Sequence, residues 1–256
     1  MGLHRAALFA GRHMSELLHF EQVETIDSTN AELMRRPWHQ DSDNTPVALW
    51  AQQQTAGRGR MGRVWQAPAQ DAITLSVGLD LAAPVSALVG LPIAVGVALA
   101  DVLQDYGARL WLKWPNDLYT GPVADVGPMK VGGILTEVKA LDPSARPGMH
   151  RVVTGFGLNL FAAPTGLSQP AAAIFGPDSK VRPDRPDLAR ALALRVADVL
   201  CRFPREGLGP WRAGWQARDL LAGRPITIHH PDGRCEAARA QGIDIQGGLK
   251  IIDAQG

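Results

Sequence analysis

Residues 57–63 read Gly-Arg-Gly-Arg-Met-Gly-Arg, three glycines and three arginines in seven positions with no acid among them. No regular element accommodates such a run well, because glycine disfavours helix interiors and weakens strands. The segment is therefore a loop, and its flanks restrict it further. Pro46 to Gln52 (PVALWAQ) reads as a buried strand, and Ile73 to Leu79 (ITLSVGL) is rich in β-formers, so the loop joins two strands. Its glycines let the backbone turn and approach a ligand closely, and its arginine forks suit carboxylate and phosphate. It is expected to wrap an anion and to order on binding it.

Gly57 to Gly62 also matches G-x-G-x-x-G after a strand, with Asp80 near the distance of the acid in a dinucleotide fold. That fingerprint needs a helix opening at its last glycine, whose N-terminus holds the pyrophosphate. Arg63 to Asp71 contains Pro68, lacks helical period and is too short for a crossover helix. The dinucleotide reading fails on context.

The rest of the chain alternates strand and helix signals. EQVETIDSTNAELMRR predicts a short strand and a helix started by Ser28, Thr29 or Asn30. Pro84 to Tyr106 is apolar nearly all round and predicts a buried helix, with Pro92 marking a kink or a delayed start. Leu110 to Trp114 predicts a strand running into a Pro115-Asn116-Asp117 turn. After a loop (YTGPVADVGPM), VGGILTEV and RVVTGFGLNL predict two adjacent strands. Pro164 to Pro186 reads as a long loop and Leu188 to Cys201 as an amphipathic helix. From Ala222 short strands alternate with turns at Pro231-Asp232-Gly233 and Gly247-Gly248. We expect a main domain over 1–221 and a small β appendage over 222–256, too short to fold alone and so packed on the main domain or incomplete.

Composition excludes several functions. With 256 residues, 46% of them apolar, a sizeable core can form, and a net charge of +1 argues against a strongly basic nucleic-acid binder or a polybasic membrane anchor. A cationic site must be local. Cys201 and Cys235 stand far apart without metal-type spacing, as expected of reduced thiols in the cytoplasm. The apolar run Ala6 to Ala10 is shorter than a signal-peptide core or a membrane span, so no membrane association is expected.

Several other segments can carry chemistry. Lys113-Trp114-Pro115-Asn116-Asp117 sets a cation, an amide and a carboxylate at a strand end, where α/β proteins place their sites, though it also reads as a capped turn. Lys130, before Val131-Gly132-Gly133, can reach a phosphate while the glycines admit a ligand, or can blunt a strand edge. Ser28-Thr29-Asn30 offers hydroxyls and an amide to a neutral head such as a ureido group, or simply caps a helix. Trp65 and Trp114 can wall an apolar tail or a base, and Asn159 follows Gly155 and Gly157. No nucleophile constellation and no G-x-x-x-x-G-K-[ST] loop stands out, so the chemistry must depend on charge and positioning.

Taken in order, STN at Ser28, QTAGRGRMGRVW at Gln54, KWPNDL at Lys113, KVGGIL at Lys130 and GFGLNL at Gly155 resemble the biotin–protein ligase family. The resemblance spans Ile26 to Leu160 and implies an α+β fold. Its mixed sheet with flanking helices is related to class II aminoacyl-tRNA synthetases, with a small SH3-like C-terminal appendage. It implies that Ser28, Thr29, Asn30 and Gln54 hold the biotin head, and that Arg58, Gly59 and Arg60 belong to a loop closing over biotin and the adenylate. Trp65 would pack against the adenine and Asn159 lie near the nucleotide. Lys130, beside Gly132, would meet the biotin carboxylate and α-phosphate, while Asn116 and Asp117 face the acceptor lysine and metal-bound phosphates. Lys130, Arg60, Asp117 and Lys113 would be the catalytic residues, with biotin, ATP and Mg2+ required and no protein-held metal site.

The implied partner is a biotin carboxyl carrier protein or domain, and the chain is expected to be a monomer or weak homodimer. Only 27 residues precede Ser28 and His4 to Phe20 could form one short helix at most, so specific DNA binding is not expected. The last residues, Ile251 to Gly256, suggest that the appendage lacks strands of the family's cap. A lipoate–protein ligase shares the fold and the adenylation logic, but the GRGRMG loop with KWPND favours biotin. A nucleic-acid module using the arginine loop is disfavoured by the near-neutral charge and the lack of stacked aromatics beside it.

Overall fold

The computed structural model describes residues 18–37, 45–121, 127–166, 169–230 and 232–253. The apolar run Ala6 to Ala10, the helix expected before Leu18, the middle of the loop after Tyr119, Pro231 and the last three residues lie outside the described residues. Phe20 belongs to a strand.

Among the described residues ten strands and four helices are arranged as β1 (His19–Ile26), α1 (Thr29–Arg35), β2 (Val47–Gln54), β3 (Ala72–Leu81), α2 (Leu91–Asp105), β4 (Trp111–Lys113), β5 (Asp117–Tyr119), β6 (Lys130–Ala140), β7 (His150–Asn159), α3 (Arg185–Glu206), α4 (Gly209–Gln216), β8 (Pro225–His229), β9 (Cys235–Ile243) and β10 (Leu249–Ile252). The first seven strands form one sheet in the order β1-β2-β3-β7-β6-β5-β4. β1 pairs parallel with β2 and the remaining pairs are antiparallel, so the sheet is mixed.

Strand alternation divides the sheet into two unlike faces. Ile73, Leu75, Val77 and Leu79 of β3, with Val152, Phe156 and Leu158 of β7, point into the main core against α2 and α3. The intervening residues Thr74, Ser76 and Asp80 of β3 and Gly155, Gly157 and Asn159 of β7 face the other way. On that side α1 covers only part of the sheet, through a small cluster of Leu33, Leu49 and Val153. The polar and glycine-rich stretch left beside α1 is where a ligand can lie against the sheet.

Pro92 marks a delayed helix start. The chain first makes a 3-10 turn at Val85–Leu88, and Gly90 (φ 83°) then opens α2, with proline in the first turn where no N–H is needed. By length and composition Val85–Asp105 could cross a membrane. Here ten residues of α2 are buried, and the helix packs on the sheet, α3 and α4, which accounts for its apolar character. α3 is longer at both ends than its amphipathic stretch suggests, because Asp184 caps it by accepting the Asp187 N–H (3.0 Å) and Gly207 stops it. Helix α4 was not expected, since Gly209, Pro210 and Gly214 mask its period; burial of Trp211 and Trp215 holds it.

The appendage is a three-stranded antiparallel sheet, β10-β9-β8. It packs on the main body, with Ile243 in the main core and the Trp114 indole N–H donating to Gly247 O at 2.9 Å.

Candidate active site

The uncovered part of the sheet forms the floor of a cavity of about 570 Å³. At one end stands α1. Ser28 caps this helix by accepting the Ala31 N–H (3.4 Å), which leaves its own proton uncommitted among the described residues. Gln54 Oε1 accepts from both the Thr29 N–H (2.8 Å) and the Thr29 hydroxyl (3.1 Å), turning the Gln54 amide nitrogen outward as a donor. Ser76 donates its proton to Asn30 Oδ1 at 2.6 Å, so across the 2.7 Å Thr29–Ser76 contact the Thr29 hydroxyl is the donor, its proton divided between Ser76 and Gln54. Asn30 Nδ2 donates to Leu135 O (3.1 Å) and Glu137 Oε2 (2.9 Å), both acceptors only, so the orientation of its amide is fixed. This end is neutral, rigid and rich in hydroxyl and amide groups.

Over it folds the arginine loop, as a narrow ribbon closed by its own backbone. Gly59 N donates to Arg63 O (2.7 Å) and Trp65 N to Gly57 O (2.9 Å). Gly57 is required there, since a Cβ would lie 2.4 Å from Trp65 O. No helix follows Gly62, and the chain enters β3, which runs antiparallel to β2. Two contacts tether the ribbon: Arg58 Nη2 to Glu137 Oε1 (3.1 Å) and Arg60 Nη1 donating to Asn116 Oδ1 (3.0 Å). Glu137 thereby links the loop to Asn30.

The other end is cationic. The β4–β5 hairpin pairs Lys113 with Asp117, and Asn116 Nδ2 donates to Ile134 O at 2.7 Å. Lys130 reaches Asp117 Oδ1 at 2.7 Å through an irregularity in β6. Gly132 pairs with Leu118 but Lys130 with Tyr119, so Val131 is bulged and the alternation shifts by one. Lys130 therefore shares a face with Gly133 and Asp117. Gly133, not the expected Gly132, lines the cavity; a Cβ on Gly132 would meet Gly157 O and Leu158 at 2.7 Å. Lys113 and Lys130, with Arg60 bonded to Asn116, stand at this end, while Arg58 and Arg63 of the loop add to the cavity lining, in which Asp117 is the one carboxylate among the described residues. The near-neutral chain concentrates positive charge here. Lys113 Nζ also lies 5.3 Å from the centre of the Tyr119 ring, and burial pushes the Tyr119 hydroxyl up to about 12, aided by the Asp117 charge. That phenol stays protonated and accepts from Gln169, a cavity-wall residue.

Between the two ends Trp65 lies flat on β7, where a Cβ on Gly157 would come within 2.1 Å of the indole. Trp65 Nε1 and Asn159 Oδ1 are buried without a partner among the described residues. Such groups cost about 1–3 kcal/mol each when unmet, so a donor and an acceptor stand ready for a ligand edge.

Apart from Gly132, every expected site residue lines this one cavity. Sequence reading missed Ser76, Glu137 and Gln169, and of the two glycines it named after Val131 the cavity takes Gly133. Ser76 carried a signal, as a polar position on the alternating run ITLSVGL, but alternation alone does not say which face is wet.

The biotin/lipoate A/B protein ligase family matches residues 23–159. The bifunctional ligase/repressor BirA of Escherichia coli is 32% identical over 231 residues, 90% of this chain and 68% of that protein. A biotin–[acetyl-CoA-carboxylase] ligase of Mycobacterium tuberculosis is 36% identical over 233 residues, 89% of this chain and 80% of its own. Among solved structures, the Aquifex aeolicus biotin protein ligase in complex with biotin and ATP superposes with a TM-score of 0.71 at 22% identity, covering 93% of each chain.

Proposed function

The chain belongs to the biotin/lipoate A/B protein ligase family, and from that premise we propose that it is a biotin–protein ligase, forming biotinyl-5′-AMP from biotin and ATP and transferring the biotinyl group to a lysine of a biotin carboxyl carrier protein. One observation carries the choice of substrate. The cavity is neutral and rich in hydroxyl and amide groups at the α1 end and strongly cationic at the other, as suits a molecule with a ureido head and a carboxylate tail. The Ser28 hydroxyl and the Gln54 amide nitrogen would donate to the ureido oxygen, with Thr29 and Asn30 holding them in place. Trp65 would pack on the adenine, whose edge would meet Asn159 Oδ1.

In the first step a biotin carboxylate oxygen attacks the α-phosphorus; the new P–O bond forms as the bond to the β-phosphate oxygen breaks and pyrophosphate leaves. Lys130, Lys113 and the arginines face the charge that grows at phosphorus, so their contribution is larger in the transition state than in the ground state. In the second step the acceptor amine attacks the carbonyl carbon of the anhydride, AMP departs with the bonding electron pair, and Asp117 takes up the proton. Among the described residues no three acids, histidines or cysteines gather as a metal cage. The arrangement suits Mg2+ carried by ATP phosphates with Asp117 as a single protein carboxylate, and the ion would neutralise phosphate charge. We further infer that the chain acts in the cytoplasm as a monomer or weak homodimer. All groups assigned here come from one chain, and the free thiols of Cys201 and Cys235 suit a reducing compartment.

Biotin-dependent exchange of labelled pyrophosphate into ATP is the expected result, with no exchange on lipoate. Exchange with lipoate alone would replace this reading by its nearest rival. A second expected result concerns the loop. Protease cutting at Arg58, Arg60 and Arg63 should fall about ten-fold when biotin and ATP are added together, because phosphate and adenylate recover the cost of ordering three glycines. Equal cutting rates by mass spectrometry, with and without ligands, would show that the ribbon is already fixed.

A further inference from the structure

Apolar packing does not hold the arginine loop on the sheet. Loop residues 58–62 and residues 134–137 of β6 line a space of about 560 Å³, so loop and strand stand apart over this stretch. The loop's two apolar side chains between Gly57 and Trp65 are Met61 and Val64, and they are 87% and 72% exposed. They contribute almost no burial against the entropy of ordering three glycines, so the loop's position rests on side-chain tethers. One tether, Arg60 to Asn116 Oδ1, ends on a neutral amide. The other is charged, with Arg58 Nη2 at 3.1 Å from Glu137 Oε1.

Glu137 is placed for two tasks at once. It follows Gly133 and Leu135 at alternate positions of β6, on the face that looks toward α1 and the cavity floor. Its oxygens are divided: Oε1 meets Arg58, and Oε2 accepts from Asn30 Nδ2 at 2.9 Å. Asn30 in turn receives the Ser76 proton, and Ser76 accepts from the Thr29 hydroxyl, which also bonds Gln54. One run of hydrogen bonds therefore leads from the neutral end of the cavity to the loop. A carboxylate is what the position needs, because both neighbours are donors. Glutamine would set an oxygen against one of them and an NH2 against the other.

We propose that Glu137 is a positioning residue of the adenylation site, tying the closed position of the loop to the setting of the polar floor; the inference rests on the ligase reading above. Glu137 is not on the lining of the catalytic cavity and acts through Arg58 and Asn30, which are. Opening the loop over a bound adenylate requires that the Arg58–Glu137 pair be broken. The floor, by contrast, holds the ureido head whether the loop is up or down. Glu137 therefore governs retention of the adenylate through one oxygen and the fit of the head through the other, and substitution can separate the two.

The full-length chain is tested as wild type, Glu137→Gln, Glu137→Ala, Arg58→Ala and the Glu137→Gln/Arg58→Ala double variant. Labelled adenylate is formed on each from biotin and ATP, and its release is followed by filter binding after a chase with unlabelled biotinyl-5′-AMP. In Glu137→Gln the buried Asn30 keeps the amide oxygen while the half-exposed Arg58 loses its partner. Release should quicken about five-fold, the upper range for a partly exposed ion pair, with biotin Kd within about two-fold of wild type. Glu137→Ala should quicken release equally and also weaken biotin about ten-fold, because Asn30 loses a charged acceptor. Release from the double variant should match that from Arg58→Ala, since both changes remove one interaction. The proposal is overturned if Glu137→Gln releases adenylate at the wild-type rate, or if its effect adds in full to that of Arg58→Ala. It is overturned equally if Glu137→Gln lowers the unfolding midpoint and biotin affinity together, the mark of a merely structural role. A wild-type chain that forms no adenylate defeats the functional reading itself, and this inference with it.

Discussion

Replacing Lys130 by alanine should slow formation of the adenylate by about 10²–10³-fold, or about 2.7–4 kcal/mol of transition-state stabilisation, while biotin affinity changes by no more than a few-fold. The two halves of this expectation have separate causes. Lys130 stands at the cationic end, its Nζ 2.7 Å from Asp117 Oδ1 and 6.0 Å from the centre of the Trp65 ring, and it belongs to β6 rather than to α1 or β2, which carry the hydroxyls and amides assigned to the ureido head. Its charge therefore adds little to holding the head. As the carboxylate attacks phosphorus, negative charge grows on the non-bridging oxygens, and a partly buried ammonium there needs no reorganisation to meet it. Lys130→Arg should recover little, because a longer planar group cannot keep a bond fitted to a point charge. Single-turnover quench-flow with labelled ATP, alongside calorimetric titration of biotin, separates the two quantities. An unchanged adenylation rate would remove Lys130 from the chemistry; a parallel loss of biotin affinity would make it a binding residue instead.

The second large effect is expected at Gly155, which has no side chain and lies on the floor of the cavity. A Cβ there would stand 2.1 Å from Asn30 Oδ1 and 2.9 Å from Ser76 Oγ. β7 cannot move away, because it is paired along its length with β3 on one side and β6 on the other. Asn30 must give instead, and it then loses Ser76 and its bonds to Leu135 O and Glu137 together. Helix α1 has only seven residues, so a displaced Asn30 also moves Ser28 and Thr29. Gly155→Ala should thus weaken biotin binding about 100-fold and lower stability by about 2–4 kcal/mol, the scale of a few broken buried hydrogen bonds. Gly176→Ala, with nothing within 4 Å of the added carbon, is the control and should leave both unchanged. Wild-type biotin affinity in Gly155→Ala would mean that the Ser76–Asn30 array does not shape the pocket.

Much of this was legible in the residues. The strands ITLSVGL and RVVTGFGLNL, the cap at Ser28, the buried helix after Pro84 and the loop at Gly57 each follow from local patterns acting within a few residues. Those patterns failed where a non-local partner supplies the energy. Helix α4 has poor intrinsic propensity and exists because Trp211 and Trp215 are buried by elements distant in sequence. The ends of α3 were set by capping and by its glycine stop, which a count of apolar positions does not register.

For the site the division is sharper. The residue types and their order along the chain determined the chemistry: arginine forks beside glycines, a lysine before a double glycine, hydroxyls at a helix start, an amide and a carboxylate at a strand end. Charge and hydrogen-bonding capacity belong to the side chain wherever it lies. Tertiary structure decided which groups face each other. One bulged residue, Val131, turned Lys130 toward Asp117 and exchanged Gly132 for Gly133 in the cavity, and the packing of α1 over half a sheet face made Ser76 part of a polar floor and Glu137 a tether for Arg58. The physical reason is that a strand has two faces and a period of two residues. A one-residue irregularity reverses every assignment beyond it, and which face is left uncovered depends on helices packed from elsewhere in the chain.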